Sequence, residues 1–361
     1  MKREHTRTGW PMGWVMIVLN MGLLIFLTGC LPQAPVNPSS LKVTLLHDPG
    51  GRGDRAFNDM ASNGADWAKT EFGDRVNLQT YAVSNGGDNR ELLLKLQGES
   101  KTNLVICASY TFAKPVQEVA KDFPETTFVV IDGYIPDLPD DGNILCLRFR
   151  EQEGSYLVGA AAAIQSTTGK VGFIGGADND VIQKFEAGFV AGAHAIDPAI
   201  TVLIDYIGPD VKAFQNPNRA EELALHQYDF GADVIYTAAG GSGAGVIKAA
   251  EARKKLVIGV DSDQSLMVSP GQRPYILTSM IKRVDLGVYE IIKAALQGEL
   301  KGGYMELGLT ENGVGYAVNE YNQAMVGPMN RRLEAIQNDI VSESIQVPDE
   351  PTGLRRSARG I

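Results

Sequence analysis

The chain contains 361 residues, of which 44% are hydrophobic and 21% are charged, an ordinary composition for a globular protein of about two domains. Acidic residues outnumber basic ones by 43 to 33, and the net charge of −10 argues against a protein that binds nucleic acid by neutralising phosphates. Three cysteines and four scattered histidines are too few for a disulfide scaffold or a histidine-rich metal site.

The N-terminus has the features of an export signal. A basic segment, residues 2–7, precedes an apolar run, residues 14–27. This run is too short and too often interrupted by polar or small residues to span a membrane comfortably. The run ends in Leu27-Thr-Gly-Cys30, which resembles the bacterial lipobox. That resemblance implies cleavage before Cys30 and a diacylglycerol on its thiol. The alternative is a plain secretory signal with an incidental cysteine.

The segment after the export signal predicts a flexible tether. Residues 31–40 are rich in proline and serine and have no hydrophobic periodicity. We therefore divide the N-terminus into a signal peptide, residues 1–29, and a lipid-anchored tether, residues 30–40. The acyl chains would hold the rest of the protein at a membrane without a spanning helix.

From residue 41 onward, short β-branched apolar runs alternate with longer segments of helical periodicity. A first series of strands is predicted at 41–46, 76–83, 104–108, 128–131 and 144–149. Its helices are predicted at 58–72, 89–96, 113–122 and 155–165. A second series of strands, again with helices between them, is predicted at 171–174, 200–204, 234–236 and 256–260. Two successive β/α series predict two parallel sheets with helices on both faces.

Two cysteines lie inside predicted strands. Cys107 and Cys146 are both surrounded by apolar residues, so we predict two buried thiols. An oxidising compartment would allow a disulfide between them, but their spacing gives no support for one.

Ligands of open parallel sheets bind at the carboxyl ends of the strands, so the loops after the strands are the candidate site. Three aspartates, Asp48, Asp132 and Asp261, come just after predicted strands. Any one of them alone could be a turn or helix-capping residue. Residues 51–56 also fit the dinucleotide pattern G-x-G-x-x-A, but the second strand does not end in the acid that would bind a ribose.

The motifs of hydrolysis and phosphoryl transfer are absent. Around Ser242 the sequence reads Gly240-Gly-Ser-Gly-Ala244, which breaks the nucleophile-elbow pattern G-x-S-x-G. No G-x-x-x-x-G-K-[ST] sequence occurs either. Nothing in the sequence places one of the acids in an apolar pocket for acid–base work. We therefore predict a protein that is not an enzyme, with no catalytic residues, no metal site and no cofactor.

Several stretches resemble the basic membrane protein (BMP) family, the ABC-transporter substrate-binding lipoproteins that include purine nucleoside receptors. The similar stretches follow the family's order between about residues 41 and 319, at 48–59, 149–159, 171–176, 184–189, 239–247, 259–264 and 277–285. The resemblance implies an α/β, type I periplasmic-binding-protein fold, with two doubly wound parallel-sheet lobes joined by a three-strand hinge and the ligand enclosed between them.

The resemblance also divides the chain into lobes. Residues 41–150 and about 281–309 would form the N-terminal lobe. Residues 151–280 and about 310–346 would form the C-terminal lobe. Residues 347–361 would be a disordered tail to which we assign no role.

Carried over residue by residue, the family's ligand site falls on the loops after the strands. The resemblance implies that Phe57 stacks on one face of a purine, a geometry suited to an aromatic ring. Asn58 and Asp132 would hydrogen-bond to the edge of the base, with Asp48 close by. For Phe57, the alternative is a hydrophobic staple at the start of a helix.

On the opposite lobe, the resemblance implies that Asp261 and Lys282 hold the ribose hydroxyls, aided by the backbone at Gly240. The family's second stacking phenylalanine corresponds to Phe214, which an insertion of about four residues displaces in this sequence. The insertion could widen the pocket and admit a ligand larger than a nucleoside. The alternatives are that Phe214 covers local core and that Lys282 is a surface lysine, and for Phe185 we expect plain helix packing.

The resemblance therefore implies a membrane-anchored receptor that captures a purine nucleoside by closing two lobes and delivers it to an ABC permease driven by an ATPase. We expect a monomer, lipid-anchored outside the cytoplasm at the cell membrane (on the periplasmic face in a Gram-negative cell), with no nucleic-acid partner. Three alternatives remain. The same fold could bind riboflavin or another small heterocycle, it could present a ligand to a signalling receptor, or the chain could be an exported dinucleotide-dependent enzyme.

Overall fold

The computed structural model describes residues 40–84 and 88–351. The predicted signal peptide, Cys30, nearly all of the tether and the tail beyond Pro351 lie outside the described residues. Among the residues that are described, no helix has both the length and the apolar character that a bilayer span requires.

The strands form two six-stranded sheets. In chain order they are β1 Leu41–His47, β2 Val76–Ala82, β3 Leu104–Ala108, β4 Thr127–Ile131, β5 Ile144–Phe149, β6 Lys170–Ala177, β7 Thr201–Gly208, β8 Val234–Ala238, β9 Leu256–Asp261, β10 Ile276–Lys282, β11 Gly303–Leu307 and β12 Val314–Tyr316. The helices between them are α1 Phe57–Phe72, α2 Arg90–Glu99, α3 Ala113–Val119, α4 Glu151–Gln165, α5 Asp180–Ile196, α6 Pro217–Asp229, α7 Gly243–Arg253, α8 Val284–Gln297 and α9 Gln323–Val341.

The two sheets have the same winding. Sheet A has the order β11-β5-β4-β3-β1-β2, and sheet B has the order β12-β10-β9-β8-β6-β7. Neighbouring strands are parallel except for β10 and β12, which pair antiparallel. In each sheet the first strand has the second on one side and the third on the other, the arrangement of a doubly wound fold. The predicted fold class of two doubly wound α/β lobes is therefore confirmed.

The chain crosses between the sheets three times. It leaves sheet A after β5, returns after β10, and leaves again between β11 and β12. Each lobe is thus completed by a segment from the C-terminal part of the sequence, and the three connecting segments form the hinge. We propose the predicted lobe boundaries as those of two bodies that move about these crossings, with one correction: β10 keeps Lys282 in sheet B, so the second crossing follows residue 282 rather than residue 280.

Two helices of the C-terminal lobe pack with their backbones in contact. A Cβ atom at Gly192 of α5 would lie 2.8 Å from the carbonyl carbon of Tyr156 in α4, and Gly159 and Gly188 are equally confined at the same interface. Glycine is therefore the residue that allows this approach. The close packing holds the middle of α5 against the first half of α4, which begins at the hinge.

The helix α4 begins earlier than the sequence predicts, at Glu151 rather than at Ser155. Its first residues are charged and therefore lack an apolar periodicity, yet Glu151 and Glu153 are buried. Glu153 accepts a hydrogen bond from the backbone of Leu309, at 2.8 Å, and Glu151 is paired with lysines at the cavity between the lobes.

The two strand cysteines are buried free thiols, as expected. Burial raises the pKa of the Cys107 thiol, and it raises the pKa of Cys146 to about 11. The start of the predicted tail also has a place in the fold, because Val347 packs against the main hydrophobic core.

Candidate functional site

A cavity of about 290 Å³ lies between the two lobes. Every ligand-site residue predicted from the sequence lines it: Asp48, Phe57, Asn58, Asp132, Phe214, Gly240, Asp261 and Lys282. The carboxyl ends of strands from both sheets therefore meet at one place, as in other doubly wound folds. Small-molecule pockets span roughly 300–1,000 Å³, so this cavity suits a compact ligand rather than a dinucleotide.

The loop after β1 contributes the carboxylate of Asp48, one oxygen of which already has protein partners. Oδ1 of Asp48 accepts a hydrogen bond from the Thr111 hydroxyl, at 2.9 Å, and is paired with the guanidinium of Arg90. Arg90 is itself buried and lies over the ring of Phe112. Because both contacts fall on Oδ1, Oδ2 is the oxygen that Asp48 can offer to a ligand.

The orientation of the Asn58 amide is set by three neighbours that the sequence does not single out. Its Nδ2 donates to the carboxylate of Asp54, at 3.1 Å, so its Oδ1 must be the atom 3.1 Å from Nδ1 of His47. His47 then carries its proton on Nδ1 and accepts from the hydroxyl of Ser62 through Nε2, also at 3.1 Å. Burial lowers the pKa of His47, which keeps the ring neutral. Asn58 thus faces the cavity with a defined donor and a defined acceptor.

Lys282, at the end of β10, is the centre of a buried charge cluster. It is only 1% exposed, so it is not a surface lysine. Its Nζ lies 2.7 Å from Oδ2 of Asp132 and 2.9 Å from Oε1 of Glu151. Burial lowers the pKa of Lys282, but the carboxylates of Asp132, Glu151 and Asp261 outweigh burial and leave the pKa above its ordinary value. The ammonium group therefore ties the C-terminal lobe to the N-terminal lobe at the floor of the cavity.

Asp132 and Asp261 occupy equivalent positions in the two lobes, directly after β4 and at the end of β9. Both have left-handed backbones, with φ values of 61° and 65°, a conformation that is uncommon outside glycine and is concentrated at functional sites. Burial raises the pKa of Asp132, against the opposing effect of Lys282. Burial likewise raises the pKa of Asp261 to about 7.

One carboxylate oxygen of Asp132 is available to a ligand. Oδ1 of Asp132 is buried and has no hydrogen-bond partner among the described residues. A buried acceptor without a partner costs free energy, and a bound hydroxyl group would remove that cost.

Three phenylalanines form the apolar walls. Phe57 begins α1, and the ring of Phe57 lies 5.2 Å from Nζ of Lys282. Phe214 comes from a short 3₁₀ turn, Val211–Gln215, so the insertion predicted from the sequence folds locally and still delivers its ring to the cavity. Phe185 of α5, for which only helix packing was expected, also lines the cavity. Its helical spacing is that of any buried residue, so the sequence carried no signal for this role.

The lobes touch each other around the cavity. The hydroxyl of Ser262 donates to the backbone carbonyl of Arg55, at 2.7 Å, and Nε2 of Gln264 donates to the same oxygen at 3.3 Å. Together with the Lys282–Asp132 pair, these bonds join the loops of opposite lobes. The two lobes are therefore held in direct contact around the cavity.

The site has the chemistry of binding. In the two described ranges, no group of three or more histidine, cysteine, aspartate or glutamate side chains is arranged to hold a metal ion. The lining instead combines aromatic faces with fixed hydrogen-bonding groups, which is the composition of a small-molecule pocket.

Comparison with known proteins agrees with the fold. The family model described as ABC transporter substrate-binding protein, PnrA-like, matches residues 41–351. The nucleoside-binding protein BmpA of an ABC transporter of Lactococcus lactis is 30% identical, over 86% of this chain and 90% of that protein. An uncharacterised lipoprotein of Pyrococcus abyssi is 30% identical, over 84% of this chain and 76% of that protein.

A solved structure has a similar fold. A solute-binding protein of an ABC transporter system from Aeropyrum pernix has a TM-score of 0.75 and 27% identity, over 86% of this chain and 94% of that one. The fold is thus the type I fold of periplasmic solute-binding proteins, as the sequence resemblance predicts. The chain belongs to the family of PnrA-like substrate-binding proteins of ABC transporters.

Proposed function

We propose that this substrate-binding protein captures a purine nucleoside. The observation that carries the proposal is the presence of two chemistries in one cavity of about 290 Å³. Aromatic rings and a fixed amide suit a flat heterocycle, and a buried carboxylate–lysine cluster suits the hydroxyl groups of a sugar. The nucleoside-binding relative from Lactococcus lactis supports the same ligand class.

The sugar would lie against the charge cluster. The sequence resemblance assigns Asp261 and Lys282 to the ribose. Asp132 also interacts with Lys282, as Asp261 does. Because that contact ties Asp132 to the cluster, we assign it to the ribose as well, rather than to the edge of the base. A carboxylate that accepts from sugar hydroxyls forms charge-assisted hydrogen bonds, which are stronger than neutral ones.

The base would lie between Phe57 and Phe214, with its edge toward Asn58 and Asp48. Stacking of a base on an aromatic ring contributes roughly 1–3 kcal/mol per base. The fixed donor and acceptor of Asn58 can pair with a heterocycle edge that offers the complementary groups. Asp48 can accept from a ring N–H through Oδ2.

The ligand would be released to a permease when the lobes open about the three hinge segments. Delivery to an ABC permease and its ATPase follows from the family, and the lipid on Cys30 would keep the receptor beside them. Substitution Cys30→Ser tests the anchor, because the variant should leave the membrane fraction of cells that express it. A variant that still sediments with the membranes would refute the lipid anchor.

The test of the ligand is calorimetric titration of the chain from Ser39 onward, which is a compact unit of the structure. The protein is unfolded and refolded to remove bound ligand, then titrated with guanosine, inosine, adenosine, cytidine and riboflavin. We expect sub-micromolar affinity for purine nucleosides alone. A signal with riboflavin and none with nucleosides would keep the fold and overturn the proposed ligand.

Two variants test the residue assignments. Phe57→Ala and Asp261→Ala should each weaken nucleoside binding at least tenfold, about 1.4 kcal/mol. The matched controls are Phe230→Ala and Asp229→Ala, which remove an exposed phenylalanine and an exposed aspartate outside the cavity lining, and which should bind like the wild type. Wild-type affinity in a folded Phe57 or Asp261 variant would remove that residue from the site.

A further inference from the structure

We infer that Ser242 is a positioning residue, whose hydroxyl group holds the Phe214 wall of the cavity in place. Ser242 lies in the glycine-rich turn after β8 and is 0% exposed. It therefore has no contact with solvent, and neither a phosphate-binding motif nor a nucleophile motif explains it. The inference rests on the proposed function only where it concerns the ligand.

The hydroxyl of Ser242 makes two short hydrogen bonds to the backbone of one neighbouring segment. It donates to the carbonyl oxygen of Ala213, at 2.6 Å, and accepts from the backbone N–H of Asn216, at 2.7 Å. These two residues flank Phe214 and Gln215. One hydroxyl group thus uses its donor and an acceptor to close both ends of the segment that carries the aromatic ring.

The other side of the Phe214 ring is confined by a residue without a side chain. A Cβ atom at Gly176, near the end of β6, would lie 2.6 Å from Cδ1 of the ring, which is too close for real atoms. The turn that contains Ser242 lies along the backbone of the segment, where a Cβ atom at Gly240 would be 3.5 Å from Cβ of Phe214. The absence of a side chain at Gly176 thus leaves room for the ring on one side, and Ser242 holds the backbone that carries the ring on the other.

This arrangement explains how the insertion before Phe214 is tolerated. Additional residues in a loop add conformational freedom that must be lost before the ring can stack on a ligand. A buried hydroxyl that bonds the backbone on both sides of the ring removes that freedom before the ligand arrives. The same segment also reaches the opposite lobe, because Gln215 lies against Gly50.

The test is a double-mutant cycle that combines Ser242→Ala with Phe214→Ala. Ser242→Ala should weaken binding of a purine nucleoside about tenfold, because the ring is no longer held. In the Phe214→Ala background the same substitution should have no further effect, since there is no ring to position. An equal loss in both backgrounds would overturn the inference, because it would indicate a merely structural role.

Gly176→Ala gives an independent variant if Ser242→Ala does not fold. The added methyl group should displace the ring and weaken binding at least tenfold, and Phe214→Ala should abolish this effect by removing the clash. The matched control is Thr126→Val. It removes a buried hydroxyl that donates to the Thr102 carbonyl at the opposite end of the sheet A strands, and it should leave binding unchanged.

Amide hydrogen exchange without ligand separates this inference from the proposed function. Ser242→Ala should accelerate exchange of the Asn216 amide, whatever the ligand is, because that amide loses its acceptor. If the wild type binds no nucleoside but exchange accelerates, the proposed ligand fails and the positioning role stands. If nucleosides bind equally well to wild type and variant and exchange is unchanged, the positioning role fails and the proposed ligand stands.

Discussion

Replacing Lys282 by methionine tests the charge cluster that joins the two lobes. Methionine has a similar length and no charge, so Lys282→Met leaves the carboxylates of Asp132 and Glu151 buried without their shared cation. Removal of one partner from a buried ion pair costs about 3–5 kcal/mol, because the remaining charge is uncompensated. Lys282 is 1% exposed, so water can replace little of the lost interaction. We expect a loss of that size in the free energy of unfolding at pH 7.

The loss should depend on pH with a defined sign. In the variant, the folded-state pKa values of the two carboxyl groups should rise above their unfolded values, which are near 4. Between these values the folded chain binds more protons than the unfolded chain, so stability falls as the pH rises. The destabilisation should therefore be largest near pH 7 and smallest below about pH 4, where the groups are protonated in both states.

Urea unfolding without ligand, followed by circular dichroism between about pH 4 and about pH 8, measures this effect. The matched control is Lys95→Met, because Lys95 is 46% exposed and pairs with Glu91 on a helix surface. An exposed pair of that kind is screened by solvent and contributes little to stability. A loss below about 1 kcal/mol in the Lys282 variant, or a loss that does not change with pH, would show that Lys282 does not neutralise buried carboxylates.

Three other predictions follow from individual side chains. Nucleoside affinity should rise as the pH increases through about 7, the pKa of Asp261, because an ionised carboxylate accepts hydrogen bonds more strongly; titration of Asp261→Asn should show no such rise. The stability of the wild type relative to His47→Asn, which can still donate to Asn58, should fall as the pH drops below about 6.5, since the unfolded wild-type chain then protonates His47 and the folded chain resists it; urea unfolding of both proteins measures this difference. Gly192→Ala should lower the free energy of unfolding, measured in urea, by about 2–3 kcal/mol. Gly327→Ala, whose methyl group meets only a flexible glutamine, should raise it by up to about 1 kcal/mol. Equal effects of the two substitutions would contradict the tight α4–α5 contact.

The alternation of strands and helices could be predicted from the sequence because it depends on local patterns. Strands of a parallel sheet are buried on both faces and therefore appear as continuous apolar runs, as in Leu104–Ala108, where prediction and structure have the same bounds. The edge strands Gly303–Leu307 and Val314–Tyr316 were not predicted. They are short, contain glycine and are only partly buried, so their sequences lack a continuous apolar run.

The positions of the site residues could also be anticipated, but their partners could not. Asp132 and Asp261 stand out because they follow strands, and the carboxyl ends of parallel strands face one cleft. Glu151 did not stand out, because a charged residue at the start of a helix ordinarily faces solvent. Folding brings Lys282 and Lys184 to Glu151, and these two cations make its burial tolerable. The ligand class remains a prediction, since the same walls admit more than one flat heterocycle.

Patterns along the chain were enough to predict what depends on sequence neighbours: an export signal, the two β/α series and the loops that bear polar residues after each strand. Which of those residues meet depends on the folded chain. Folding brought Phe185 into the cavity, oriented Asn58 through His47, and held Phe214 in place through Ser242. The physical reason is that hydrogen bonds, burial and charge pairing act between atoms a few ångströms apart. Ser242 and its partner Ala213 are 29 residues apart in the sequence, so no local pattern records their proximity.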